Sequence, residues 1–255
     1  MGPATSKLMR TESISFQRVS GPRTPANTRT AGMAGADEDG RVRNPAEVFP
    51  SWFFDRQDAN DDARFYASPR LVTHIDDGAI AAVGDLYAEL ELDGRVLDLM
   101  SSWISHFRNA PADLVVLGMN RSELDANTQA TSRVVQNLNE DPVLPFTDAS
   151  FDGVVCCASV DYLIRPVEVL AEAARVLRPG APVALTFSNR LFPTKAVRGW
   201  LAADEQQRCA IAAEYLRLAD GFGEREVLLR TPAGRDCGGR YDGDPLYAVI
   251  ARRLP

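Results

Sequence analysis

Four short apolar runs, separated by stretches with helical spacing, constrain the fold of this 255-residue chain more than any other feature. They are RVLDLM (95–100), DLVVLGM (113–119), FDGVVCCAS (151–159) and APVALTFS (181–188). Runs this short, and this rich in Val and Leu, fit strands covered on both faces within a parallel sheet. The clearest helical stretch is RPVEVLAEAARVLRPG, which sets Val167, Leu170, Ala174 and Leu177 on one face and stops at Arg178-Pro179-Gly180. A second helix is predicted from about Asp76 to Leu90, capped by Asp76 or Asp77. Strand alternating with helix predicts an α/β, doubly wound sheet. LYAVIARR (246–253) reads as a last strand, with EREVLLR (224–230) pairing near it.

The composition is that of a globular chain, 45% hydrophobic and 25% charged, sufficient for one sizeable core. A formal net charge of -7 argues against nucleic-acid partners. No apolar run approaches the roughly 18 residues that cross a bilayer, so no membrane partner is expected. The spacing of Cys156, Cys157, Cys209 and Cys237 matches neither a zinc site nor a disulfide scaffold. Adjacent Cys156 and Cys157 are expected to be buried free thiols. With His74 and His106 the only histidines, no metal site is expected.

Residues 1–47 carry no sustained periodicity and cannot bury enough apolar area to order themselves. Up to Met33 the charged residues are Lys7, Arg10, Arg18, Arg23, Arg29 and a single acid, Glu12. A disordered tail and an organelle transit peptide both fit. The corresponding locations are cytoplasmic, or plastid or mitochondrion if the tail is a transit peptide. The domain proper is expected over 48–255. Its aromatic SWFF segment, Ser51 to Phe54, either folds back on the domain or forms an exposed patch.

In an open parallel sheet, ligands bind beyond the carboxyl ends of the strands, where strand order reverses. The candidate site residues are therefore those that follow each strand. Asp98 to His106 follow the first; Met119, Asn120 and Arg121 follow the second. Asn137 to Asn139 lie further on; Asp161 and Tyr162 follow FDGVVCCAS; Asn189 and Arg190 follow VALTFS.

The segment LPFTDASFDGVVCCASVDYLIRPVEVLAEAARVLRPGAPVALTFSNR resembles the second half of a class I S-adenosylmethionine-dependent methyltransferase of the small-molecule, type 11-like kind. A Leu-Pro-Phe…Phe-Asp segment leads into one strand, and a helix ending Val-Leu-Arg-Pro-Gly leads into the next. The resemblance extends from about Gly78 to the C-terminus. DLMSSW and RLFPTKA (190–196) are similar to a branch with a variant first motif. The resemblance implies a Rossmann-like sheet of seven strands, mostly parallel with an antiparallel C-terminal hairpin. It also implies S-adenosylmethionine as cofactor, a small-molecule substrate and a lid within 48–77.

Carried onto this chain, the family pattern departs most in its first half. The usual Asp/Glu-x-Gly-x-Gly-x-Gly is reduced to Asp98, with Met100, Ser101, Ser102 and Trp103 in place of the glycines. The acid that holds the ribose is replaced at Met119 and Asn120, and the adenine region offers Asn137, Leu138, Asn139 and Asp141. The expected cofactor-binding residues are thus Asp98, Met100, Ser101, Ser102, Asn120, Asn137, Leu138 and Asn139. Arg70, His74, Tyr162, Asn189 and Arg190 are expected to face substrate, with His106 and Tyr162 as candidate proton-transfer groups. Two functions follow. One is methyl transfer to a small molecule through a rebuilt loop. The other is an inactive scaffold of the same fold acting as a binding or regulatory module. A dehydrogenase would require Gly-x-Gly-x-x-Gly after the first strand, which is absent.

Overall fold

A computed structural model describes residues 45–230 and 243–255. Residues 1–44, and with them most of the expected tail, lie outside the described residues, as does Cys237. Seven strands form one sheet: β1 Arg95–Leu99, β2 Asp113–Gly118, β3 Ser132–Val135, β4 Gly153–Cys157, β5 Pro182–Phe187, β6 Glu226–Leu229 and β7 Tyr247–Arg252. Their order is β3-β2-β1-β4-β5-β7-β6. The first five are parallel, and β7 runs antiparallel to both β5 and β6. This is the expected doubly wound α/β sheet with its antiparallel final hairpin.

The helices are α1 Pro45–Val48, α2 Asp62–Phe65, α3 Asp77–Glu89, α4 Arg121–Ala126, α5 Pro166–Val176, α6 Arg198–Leu201 and α7 Glu205–Leu218. The Asp76 side chain caps α3 by accepting the Ala79 N–H at 2.8 Å. α5 begins on Pro166 and buries Val167, Leu170 and Ala174, the face the periodicity marks. The central strands are buried along nearly their whole length. Edge strand β3 is half exposed, which is why SRVV carries no apolar run. Cys156 is buried and Cys157 partly so, both as free thiols. No described helix is long and apolar enough to cross a membrane.

The aromatic segment folds back onto the domain. Phe49 and Phe53 are buried in the main core, and Phe49 meets Tyr215 of α7 edge-on at 5.5 Å. From there the chain crosses the carboxyl ends of the strands as an irregular strap, 56–76, before entering α3. An ionic knot fixes its first part. Lys195, fully buried, lies 3.0 Å from Asp62 and 3.1 Å from Asp58 and donates to the Asn60 carbonyl. Arg56 donates to both carboxylate oxygens of Asp62 at 2.8 Å.

Candidate functional site

The chain leaves β1 toward β2 and β3, then returns to the other side of β1 as β4, so strand order reverses between β1 and β4. The connections after β1 and β4 turn sharply there. Met100 and Ala158 both adopt left-handed backbone (φ 55° and 49°), a conformation L side chains resist and which concentrates at functional sites. Ser101 then crosses to β2, its N–H on the Leu117 carbonyl at 2.8 Å. The crossing depends on Gly118, because a Cβ there would run into the Ser101 carbonyl oxygen.

Above this crossing lies a narrow cleft that encloses about 100 Å³. Its floor and sides come from the strand ends: Met100, Ser101 and Ser102 after β1, Met119, Asn120 and Glu123 after β2, Gln136 to Asn139 after β3, and Ala158, Ser159 and Tyr162 after β4. The strap roofs it with Asp62, Tyr66, Arg70 and His74, and Phe192 closes the side beyond β5.

The structure places the residues expected from the sequence in three groups. Met100, Ser101, Ser102, Asn120, Asn137, Leu138, Asn139, Arg70, His74 and Tyr162 line this cleft. Asp98 lies beneath the loop, buried, with its carboxylate accepting the Ser101 hydroxyl at 2.7 Å. Burial pushes its carboxyl up to about 6, against the pull of the Ser105 and Ser101 hydroxyls. His106, Asn189 and Arg190 are elsewhere. His106 borders a separate shallow cleft with Ile80, Gly84 and Gln129, and its imidazole is pushed down to about 4 by burial and by His74. Arg190 pairs with Asp244 at 2.7 Å, and Asn189 accepts the neighbouring Ser188 hydroxyl.

Several lining side chains already have structural partners. Asn120 caps α4 by accepting the Glu123 N–H, and its amide donates to the Tyr66 and Ala67 carbonyls of the strap. Asn139 donates to Asp62 and to the Tyr162 carbonyl, and accepts the Ile164 N–H. The Tyr162 hydroxyl accepts the Phe192 N–H at 2.8 Å, and burial together with Asp161 raises its pKa. A phenol held neutral in this way is a hydrogen-bonding group and not a base. Near the strap, His74 meets the Phe192 ring edge-on at 5.1 Å, and burial lowers its pKa, so its imidazole is neutral at pH 7.

The sequence reading missed Glu123, Asp62, Tyr66 and Phe192. Glu123 is buried and lines the cleft, with one oxygen accepting the Ser102 hydroxyl at 2.5 Å and the other the Arg70 main-chain N–H at 2.7 Å. Its only sequence signal is Asn120-x-x-Glu123, which reads as an ordinary helix start. Each carboxylate oxygen keeps acceptor capacity beyond its one bond, so Glu123 can still receive ligand hydroxyls. The lining combines an amide at Asn137, apolar surface at Met100, Met119 and Leu138, and one acid beside β2.

Comparison with known proteins agrees with this architecture. Residues 96–185, from β1 into β5, match the model of a family described as a methyltransferase domain. No curated protein matches the chain. Among solved structures, the [4+2]-cyclase SpnF is similar with a TM-score of 0.50 at 17% identity, over 75% of this chain and 91% of that one. A chain in the complex of the Haloferax volcanii Trm112 methyltransferase activator with a putative methyltransferase gives 0.49 at 15% identity, over 69% and 90%. A possible histamine N-methyltransferase from Thermotoga maritima gives 0.47 at 15% identity, over 69% and 91%. At these identities the likeness is one of fold. The matched span contains β1, β2, β3 and β4 and so builds the floor of the cleft.

Proposed function

We propose that this protein binds S-adenosylmethionine in the cleft over β1 and β4 and transfers its methyl group to a small molecule. The observation that carries this reading is the place of the cleft: a roofed space at the reversal point of a methyltransferase-type sheet, lined by the connections after four strands. Glu123 and Ser102 receive the ribose side, Asn137 and Leu138 the base, and the Met100–Ser101 crossing brings main chain close to the amino-acid part. When bound, the cofactor supplies an electrophilic methyl on a sulfonium. The chain's own contribution is to hold the acceptor in line and to exclude water. Tyr66, Tyr162 and Phe192 supply an apolar wall, and His74, a neutral imidazole at the roof, takes a proton where the acceptor must lose one.

The second reading is a binding or regulatory module on the same scaffold. It is favoured by the fact that both ends of the Asn120 side chain are spent inside the protein. Calorimetric titration of the full chain with S-adenosylmethionine and S-adenosylhomocysteine separates the two. Micromolar binding of either, abolished in Gly118→Ala, supports the cofactor site. No heat and no thermal shift at millimolar ligand would sink it and leave the binding module.

A further inference from the structure

We infer that the acceptor is an anion, an aryl or otherwise flat apolar carboxylate, and that Arg70 holds its carboxyl group; this rests on the methyl-transfer reading above. Arg70 stands in the roof with its guanidinium carbon 4.5 Å from the Phe65 ring, 5.6 Å from Phe192 and 5.8 Å from Tyr66. Aromatic faces hold a cation in place without neutralising it. One terminal nitrogen donates to the Phe65 carbonyl at 2.8 Å, while the other, Nη1, is buried and has no hydrogen-bond partner. Among the described residues no carboxylate forms an ion pair with this guanidinium. Glu123 takes the Arg70 main-chain N–H and the Ser102 hydroxyl. Asp62 is already matched by Arg56 and Lys195.

A buried, charged donor without an acceptor is costly, and it sits where a ligand can complete it. A planar guanidinium fits a carboxylate better than any neutral group does. Its position assigns it to the acceptor rather than to the cofactor. The polar arc of Ser101, Ser102, Glu123 and Asn137 follows β1, β2 and β3, whereas Arg70 is packed with Phe192, which follows β5, and Phe192 in turn lies 6.0 Å from Tyr162 after β4. The rings around Arg70 give the rest of the acceptor an apolar slot. Arg190, which follows β5, is occupied by Asp244.

The test uses the full chain and four probes, benzoate and phenylacetate with their amides, titrated in the presence and absence of S-adenosylhomocysteine. Both carboxylates are expected to bind at least roughly tenfold more tightly than the amides, and Arg70→Met to erase that preference. Arg70→Lys, which keeps the charge without the fork, should fall between. Equal binding of acids and amides, no binding of either acid, or a preference that survives in a folded Arg70→Met would overturn the proposal. A parallel titration compares S-adenosylhomocysteine with 5′-methylthioadenosine, which lacks the amino-acid group. If Arg70→Met weakens only the former, Arg70 serves the cofactor carboxylate and the proposal fails. If the native protein binds neither nucleoside yet prefers the carboxylates, the methyl-transfer reading fails while the anion site stands.

Discussion

Asp161 illustrates what a buried carboxyl does when its partners fall short. It is 3% exposed, its Oδ2 has no hydrogen-bond partner, and burial pushes its carboxyl up to about 7, only partly offset by Arg208 and the Tyr162 hydroxyl. The unfolded chain releases this proton near the ordinary value of 3.8, so between about 4 and 7 the folded state binds more protons. Its contribution to stability is therefore full below pH 4 and is lost as pH rises through 7. Asp98 acts in the same sense up to about 6, while His106, pushed down to about 4, acts in the opposite sense. Comparing a variant with the parent isolates one group. Asp161→Asn should match the parent in thermal unfolding at pH 3.5 and be the more stable protein at pH 8. A variant equally or less stable at pH 8 would show that the buried carboxylate is better solvated than its surroundings indicate. The presence of an acid after β4 is plain in the sequence; its lack of a partner is not, because that depends on where the fold puts groups such as Arg208, distant in the chain.

At the scale of elements, the crossing between β1 and β2 and the knot behind the strap carry the site. Gly118→Ala would place a methyl against the Ser101 carbonyl, a main-chain atom that can move only with the whole turn. Gly180→Ala is the matched control: its φ of 80° costs about 1 kcal/mol in strain, but no atom lies within 4 Å. The first should lower nucleoside affinity by tenfold or more, the second should lower stability alone, and titration beside urea unfolding distinguishes them. The knot gives a second test. Lys195→Met leaves Asp58 with only its Asn60 donors and Asp62 with Arg56 and the Asn139 amide, and should cost about 3 kcal/mol in urea unfolding. A loss under about 1 kcal/mol would mean Arg56 suffices. These elements were unequally legible. β1, β2, β4 and β5 announce themselves as buried apolar runs, and α5 by its periodicity. β3 is a half-exposed edge and gives no run. Lys195 reads as a surface lysine after a strand, since its carboxylates lie more than 130 residues earlier and only the fold brings them together.

Across the whole molecule, the strap is the part whose position decides whether the cleft is open. Its ties include Lys195 and Arg56 at Asp62, the Asn120 amide at the Tyr66 and Ala67 carbonyls, Glu123 at the Arg70 main chain, and Trp103, whose indole N–H donates to the Val72 carbonyl at 3.1 Å. Between these points Leu71 and Val72 remain exposed, at 55% and 56%, so little apolar burial fixes the segment itself. A region with few buried contacts opens at low free energy, and a ligand beneath it shifts that local equilibrium more than the global one. Hydrogen exchange with and without S-adenosylhomocysteine should therefore show added protection at 65–74, 100–105 and 136–139. The hairpin of β6 and β7, at the far edge of the sheet, should not change. Protection spread evenly over strap and hairpin would mean that the ligand acts only by raising overall stability. Protection at 100–105 without the strap would mean that the cleft binds its ligand open, and that the roof carrying Arg70 closes only on the second ligand.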